Sequence, residues 1–183
     1  MNVAHLDHVG LLVESAEKSA EHFRSRNLEV GPTEDFPSEG TREIYVGSRT
    51  QHGKVLLIEA IGPGPYLSAL ERRGPGLHHV ALGVPDIRSF VTGLMGSGWH
   101  LHPISLTALA HTSTVWLARA GTPVLIELSN STAPASQESL VTRLGLPIPD
   151  RLVRALSCPI VEEREDITIE VGDWRFCSET ICT

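Results

Sequence analysis

The chain writes one strand twice. "HLDHVGLLV" at residues 5–13 returns as "GLHHVALGV" at 76–84, with a histidine at the same place in each copy. Residues 6–32 align without gaps on 77–103 at an offset of 71, so that Leu6 meets Leu77, His8 meets His79 and Val13 meets Val84. Few features constrain a fold more than an internal repeat, because each copy must be one structural unit that its neighbour completes. In each copy an alternating strand is followed by a polar break, "ESAEK" or "PDIR". A stretch with helical spacing comes next: Ala16, Ala20 and Phe23, then Ile87, Phe90 and Leu94. Further strand candidates follow, "LEVGP" and "WHLHP", "REIYVG" (42–47) and "STVWLA" (113–118), "KVLLIEAI" (54–61) and "PVLIELSN" (123–130).

Each half therefore reads β-α-β-β-β and is too small to bury its own sheet, so the halves must pair. The expected fold is α+β: two paired βαβββ modules, about 5–62 and 76–130, forming a cupped mixed sheet around a cleft. Residues 1–130 form the domain, and 131–183 a C-terminal extension packed on its core. That extension opens with a polar connector, "STAPASQESL". It continues with "LVTRLGLPIPDRLVRAL", which contains a short helix with Asp150 near its start, and "DITIEVGDWRF", an alternating strand broken by a Gly-Asp turn. It could cover the cleft, extend a sheet or form a dimer contact.

The spacing of the repeat also selects chemistry. Glu127 follows His79 by 48 residues, and the residue 48 after His8 is Leu56. A pseudo-twofold pair of modules places His8, Leu56, His79 and Glu127 at four corners of one site. Three of these are metal-ligand types. A lone His at a strand start is ordinarily a hydrogen-bonded surface or core residue, but a lone carboxylate inside the apolar run "VLIELS" is costly unless paired or metal-bound. Two imidazoles and one carboxylate suit a divalent Fe, Zn, Co, Ni or Mn ion with positions left open for substrate.

Composition narrows the partners. With 22 acidic and 15 basic residues the net charge is −7, and no basic run interleaves with aromatics, so nucleic acid is not an expected partner. No apolar stretch approaches a membrane span, and the start "MNVAHLDHVG" lacks the pattern of a signal peptide. The odd set Cys158, Cys177 and Cys182, without a C-x-x-C pair, reads as reduced thiols of a cytoplasmic protein.

Four stretches, "LDHVGLLV", "PSEGTREI", "ALERRGPGLHHVALGVPDI" and "GTPVLIELSN", resemble the vicinal oxygen chelate superfamily of glyoxalases, extradiol dioxygenases, bleomycin-resistance proteins and methylmalonyl-CoA epimerases. The pattern is nearest the epimerase branch. The resemblance implies metal binding by His8, His79 and Glu127, proton transfer by Glu43, a small-molecule substrate with thioesters among the candidates, and a homodimer; in an enolate mechanism Glu127, loosened from the metal, is the expected second carboxyl. Two departures stand out. Where the epimerases carry a fourth ligand this chain has Leu56, and Glu59, three residues on, points to the opposite face. Where they carry a glycine-rich loop this chain has the apolar "PISLTALAHTSTVWL", with His111 as a further acid–base candidate. Plain methylmalonyl-CoA is therefore not the expected substrate. The leading expectation is a metal-dependent isomerase or epimerase working through an enolate. The alternatives are a non-haem Fe(II) dioxygenase with a 2-His-1-carboxylate site and an antibiotic-binding protein.

Overall fold

The computed structural model describes residues 3–48, 50–108, 114–132, 138–177 and 180. His111 and Cys182 lie outside the described residues. Strands β1 (His5–Val13), β2 (Val30–Phe36), β3 (Thr41–Val46), β4 (Lys54–Ala60), β5 (Gly76–Val84), β6 (His100–Leu101), β7 (Thr114–Ala118) and β8 (Leu125–Asn130) form one sheet of eight. Its order is β2-β3-β4-β1-β5-β8-β7-β6. β1 and β5 run antiparallel at its centre, and each is parallel to the last strand of its own module, β4 or β8. The order is a pseudo-twofold about the β1–β5 seam, and it pairs two βαβββ modules as the repeat predicts.

Helices α1 (Ala16–Arg24) and α3 (Ile87–Gly93) occupy equivalent places. Each starts at a side chain that accepts from its first turn: Ser15 from the Lys18 N–H, Asp86 from the Ser89 N–H. Each is also tied to the end of its module's last strand. Glu59 Oε2 accepts from the Ala16 N–H at 2.9 Å, and Asn130 Oδ1 accepts from the Ile87 N–H at 3.0 Å. These four residues are again related by the offset of 71. Glu59 is thus committed to a helix start on the face opposite Leu56.

Three elements depart from the pattern. Helix α2 (Pro65–Arg73) joins the modules, entered by a proline at its first turn. Helix α4 (Pro103–Ala108) stands between β6 and β7, where the first module has no helix. Strand β2 begins and ends later than "LEVGP", because it is an outer strand whose mostly exposed residues carry no alternation.

Beyond residue 138, β9 (Val141–Leu146), α5 (Asp150–Ala155), β10 (Val161–Glu163), β11 (Thr168–Val171) and β12 (Trp174–Cys177) form a second sheet ordered β10-β9-β11-β12. The Gly172–Asp173 turn joins β11 to β12 as the sequence predicts. β9 and β10 are strands the sequence did not announce. Leu144, Leu146, Leu152, Ile169 and Phe176 share one core with Val9, Leu11, Val13 and Phe23. Phe23 stands edge-to-face to both Trp174 and Phe176, and Trp99 Nε1 donates to Leu152 O at 3.1 Å. The extension therefore backs the helix-bearing face. The opposite face carries a smaller apolar cluster, Leu12, Leu56, Ile58 and Ala69, and is left to the cleft. Cys158 is buried and Cys177 exposed, and both are free thiols.

Candidate metal centre

Paired residues on neighbouring strands share a face, so ladder registers place the cleft side chains in rows. One row reads Tyr45, Leu56, Gly10, His79 across β3, β4, β1 and β5. The next reads Trp116, Glu127, Ala81, His8 across β7, β8, β5 and β1. The offset of 71 converts Tyr45 into Trp116, Leu56 into Glu127, Gly10 into Ala81 and His8 into His79. Each histidine faces a small residue on the other central strand, which leaves room for its ring. A Cβ on Gly10 would come within 2.3 Å of His79 Cε1, so nothing larger than glycine admits the ring as it lies. The aromatic pair then walls the histidines in. Tyr45 stands edge-to-face to His8 at 5.7 Å and Trp116 to His79 at 5.2 Å between ring centroids.

The two histidines meet tip to tip, with Nε2 atoms 3.0 Å apart. Glu127 Oε2 lies 3.8 Å from His8 Nε2 and 3.6 Å from His79 Nε2. All three separations are shorter than the roughly 4.0–4.4 Å spanned by two metal–ligand bonds of about 2.0–2.2 Å, so one ion can touch all three atoms. These side chains form the group of His, Cys, Asp and Glu among the described residues that is close enough to hold an ion. Leu56, only 4% exposed, fills the fourth corner with a methyl surface.

Each imidazole is held from behind. His8 Nδ1 donates to Asp7 Oδ2 at 2.7 Å, and this bond draws the Asp7 carboxyl below its ordinary range, keeping it an acceptor. His79 Nδ1 lies 3.0 Å from His78 Nδ1. Burial drives His79 far below the usual imidazole pKa and lowers His78 to about 4, so both are neutral at pH 7. Hydrogen bonding alone assigns one set of proton positions: His78 Nδ1–H to His79 Nδ1, His79 Nε2–H to His8 Nε2, His8 Nδ1–H to Asp7. Holding a cation demands another, because both Nε2 atoms must then offer lone pairs. With an ion held there, the His79 proton would sit on Nδ1 and the His78 proton on Nε2. Outer hydrogen bonds of this kind orient metal-ligating histidines in general.

Glu43 sits on β3 two residues before Tyr45, on the same face and opposite Ile58. Thr41, fully buried, donates to Glu43 Oε1 at 2.9 Å. Burial raises the Glu43 pKa above the usual carboxylate value, with the Thr41 bond acting against it. Burial raises Glu127 in the same way, opposed by the nearby His8. Two carboxyl groups with raised affinity for protons therefore share the cleft with the imidazole pair. Asp7, His78 and Trp116 belong to the site although no sequence reading selected them. The repeat held the clue to Trp116, since Tyr45 falls on it at offset 71.

Beside the centre, a cavity of about 320 Å³ runs between α2, α4 and the sheet. His78, the outer member of the imidazole chain, and Trp116, which packs edge-to-face on His79, also line the cavity wall. α4 is fastened to that wall through Trp116, whose N–H donates to Ser105 Oγ at 2.7 Å and whose carbonyl accepts from His102 N–H at 2.8 Å.

Solved structures share this fold. A hypothetical protein from Bacillus halodurans C-125 superposes with a TM-score of 0.56 at 24% identity, over 73% of this chain and 99% of that one. Methylmalonyl-CoA epimerase from Mycobacterium tuberculosis does so at 0.54 and 22%, over 69% and 87%. Streptomyces coelicolor methylmalonyl-CoA epimerase in complex with 2-nitronate-propionyl-CoA does so at 0.55 and 21%, over 73% and 100%. No curated protein matches the chain in sequence. No helix among the described residues is long and apolar enough to cross a membrane. Residues 7–117 match the Glyoxalase/Bleomycin resistance protein/Dioxygenase superfamily, and the chain belongs to that family.

Proposed function

We propose that this protein is a metal-dependent isomerase of the epimerase type, moving an α-proton of a small carbonyl substrate through an enolate. The observation that carries the reading is the convergence of His8 Nε2, His79 Nε2 and Glu127 Oε2 on one point of the cleft, each within reach of a single ion. His8, His79 and Glu127 would hold a divalent ion, which would supply Lewis acidity toward a substrate oxygen pair such as a carbonyl and a neighbouring carboxylate or hydroxyl. The ligand set accepts Fe, Zn, Co, Ni or Mn.

The chain's own residues do the rest. Glu43 is the base: its carboxyl faces the cleft, is oriented by Thr41, and is made more basic by burial. A carbon acid is weak, and a base of raised pKa is better matched to it than an exposed carboxylate. Glu127 is the second carboxyl able to return a proton. Leu56 and Ile58 exclude water from the floor beneath them. The shared fold of the methylmalonyl-CoA epimerases supports this reading, and a thioester substrate is carried over from them as part of the proposal; a homodimer is proposed from the family resemblance alone.

A second reading has its own observation. With Leu56 at the fourth corner the donors are two imidazoles and one carboxylate, the set used by Fe(II) oxygenases. The metal assignment is tested by elemental analysis of purified variants. His8→Ala, His79→Ala and Glu127→Ala are each expected to lose bound metal, while Glu43→Ala keeps it and loses proton exchange. Unchanged metal content in His8→Ala would contradict the assignment.

A further inference from the structure

The cavity beside the centre is mostly apolar, with His78, His102 and Glu39 as polar side chains on its wall. Tyr66 and Ala69 of α2, Trp116 of β7, Leu125 of β8 and Ile104 of α4 line it. Its volume of about 320 Å³ equals about ten water volumes at ~30 Å³ each, room for a chain or ring of about that many heavy atoms. Its border on α2 is different. Arg72 and Arg73 end the helix there, side by side. The chain has seven more acidic than basic residues, and Arg24, Arg42, Arg143, Arg154, Arg164 and Arg175 all find carboxylates. Among the described residues Arg72 and Arg73 form no ion pair, as Arg26, Arg88, Arg119 and Arg151 form none, but of these six it is Arg72 and Arg73 that line the cavity. Arg72 Nε donates to Ser68 O at 2.9 Å and Arg73 Nη1 to Pro123 O at 2.7 Å. Both are thereby held at the cavity with most of their N–H donors unspent. Glu39 borders the cavity too and pairs with neither. Adjacent like charges without a counterion repel one another, and an arriving oxyanion relieves that repulsion with forked hydrogen bonds.

We propose that the substrate is an amphipathic anion: an apolar segment of about ten heavy atoms lies between Tyr66 and Trp116, and a carboxylate or phosphate beyond it is bound by Arg72 and Arg73. This rests on the functional reading only in that the end of the molecule near Trp116 and His78 is taken to reach the metal centre. It accounts for the apolar segment around Ile104, which a small methyl-bearing acyl group would leave unfilled. It also names what the metal centre alone does not, the chemical class of the group remote from the reacting carbon.

The test is calorimetric titration of the full chain with octanoate, octyl phosphate and octanol, three probes with one apolar tail and different heads. The same titrations are run on Arg72→Gln, Arg73→Gln and His8→Ala. At least one anion is expected to bind tenfold or more tightly than octanol, and the tighter of the two identifies the oxyanion. Both arginine variants are expected to lose most of that preference, while His8→Ala, whose change lies at the metal centre, keeps it. Arg73→Gln also breaks the link to Pro123, so Arg72→Gln, held only to its own helix, is the cleaner variant. Octanol binding as tightly as both anions, or full anion preference in both arginine variants, would overturn the proposal. Anion binding lost in His8→Ala alone would overturn it as well, by placing the head group on the metal. Metal content measured on the same His8→Ala sample reports separately on the functional reading, so the two can fail independently.

Discussion

Leu56 and Glu127 occupy the same rung of the two modules: Leu56 is paired with Gly10 across β4 and β1, and Glu127 with Ala81 across β8 and β5. One module supplies a carboxylate there and the other a hydrocarbon. Restoring the symmetry is a direct experiment. Leu56→Gln is expected to raise zinc(II) affinity, measured by competition with a chromophoric chelator. The gain should at least equal the ~10–100-fold that an outer hydrogen bond to a ligand is worth. With no metal added the variant should be less stable, since a polar group then lies among Leu12, Ile58 and Ala69.

Gly10 is required by a ring rather than by a turn. Gly10→Ala places a methyl within 2.3 Å of the His79 imidazole. Overpacking of this kind costs about 1–3 kcal/mol, and the ring must shift to absorb it. Chemical denaturation should show a loss in that range, together with a loss of metal affinity. Ala81→Gly, the pseudo-symmetric change opposite His8, should leave metal affinity nearly unaltered.

Asp7 and His78 fix the protons of the two histidines proposed to hold the metal. Asp7→Asn replaces an obligate acceptor beside His8 Nδ1, and metal affinity should fall about 10–100-fold. In the wild-type protein, zinc(II) should move the His78 proton from Nδ1 to Nε2. Nitrogen-15 imidazole shifts read this without any assay of activity, and an unmoved His78 would show that His79 does not become a ligand.

The Glu43 pKa is raised in the folded protein because burial favours the neutral carboxyl. Its folded-state pKa thus exceeds the unfolded one. The neutral group's contribution to stability is full below the ordinary carboxylate range and is lost as pH rises through the raised value. Glu43→Gln should therefore melt higher than wild type at pH 7 and similarly at pH 4. The same variant should lose about 10²–10⁴-fold in proton exchange, the usual contribution of a general base. In the wild type the acid limb of the pH–rate profile should lie above the normal glutamate range.

The offset of 71 carried the sequence reading a long way, because whatever is repeated in a pseudo-twofold domain is also adjacent in space. It located β1 and β5, the paired helices and the His8–His79–Glu127 group, and the structure extends it to the Glu59 and Asn130 contacts at the helix starts. What breaks the repeat was not legible. α2 lies between Gly-Pro pairs that read as breakers, and α4 has no counterpart in the first module. β9 and β10 lie in the extension, where no second copy marks them. Nothing in the sequence singles out His78, and only the 3.0 Å contact between Nδ1 atoms shows that it orients His79.

The central claim is α-proton transfer at a metal-dependent centre. Deuterium wash-in at the α-carbon of 2-substituted malonyl and β-keto thioesters, followed by NMR in D₂O with an oxygen electrode in the same vessel, tests it most directly. Wash-in that requires added metal, consumes no oxygen and disappears in Glu43→Gln is the predicted result. Iron-dependent oxygen uptake without wash-in would contradict the account and make the Leu56 corner the mark of an oxygenase.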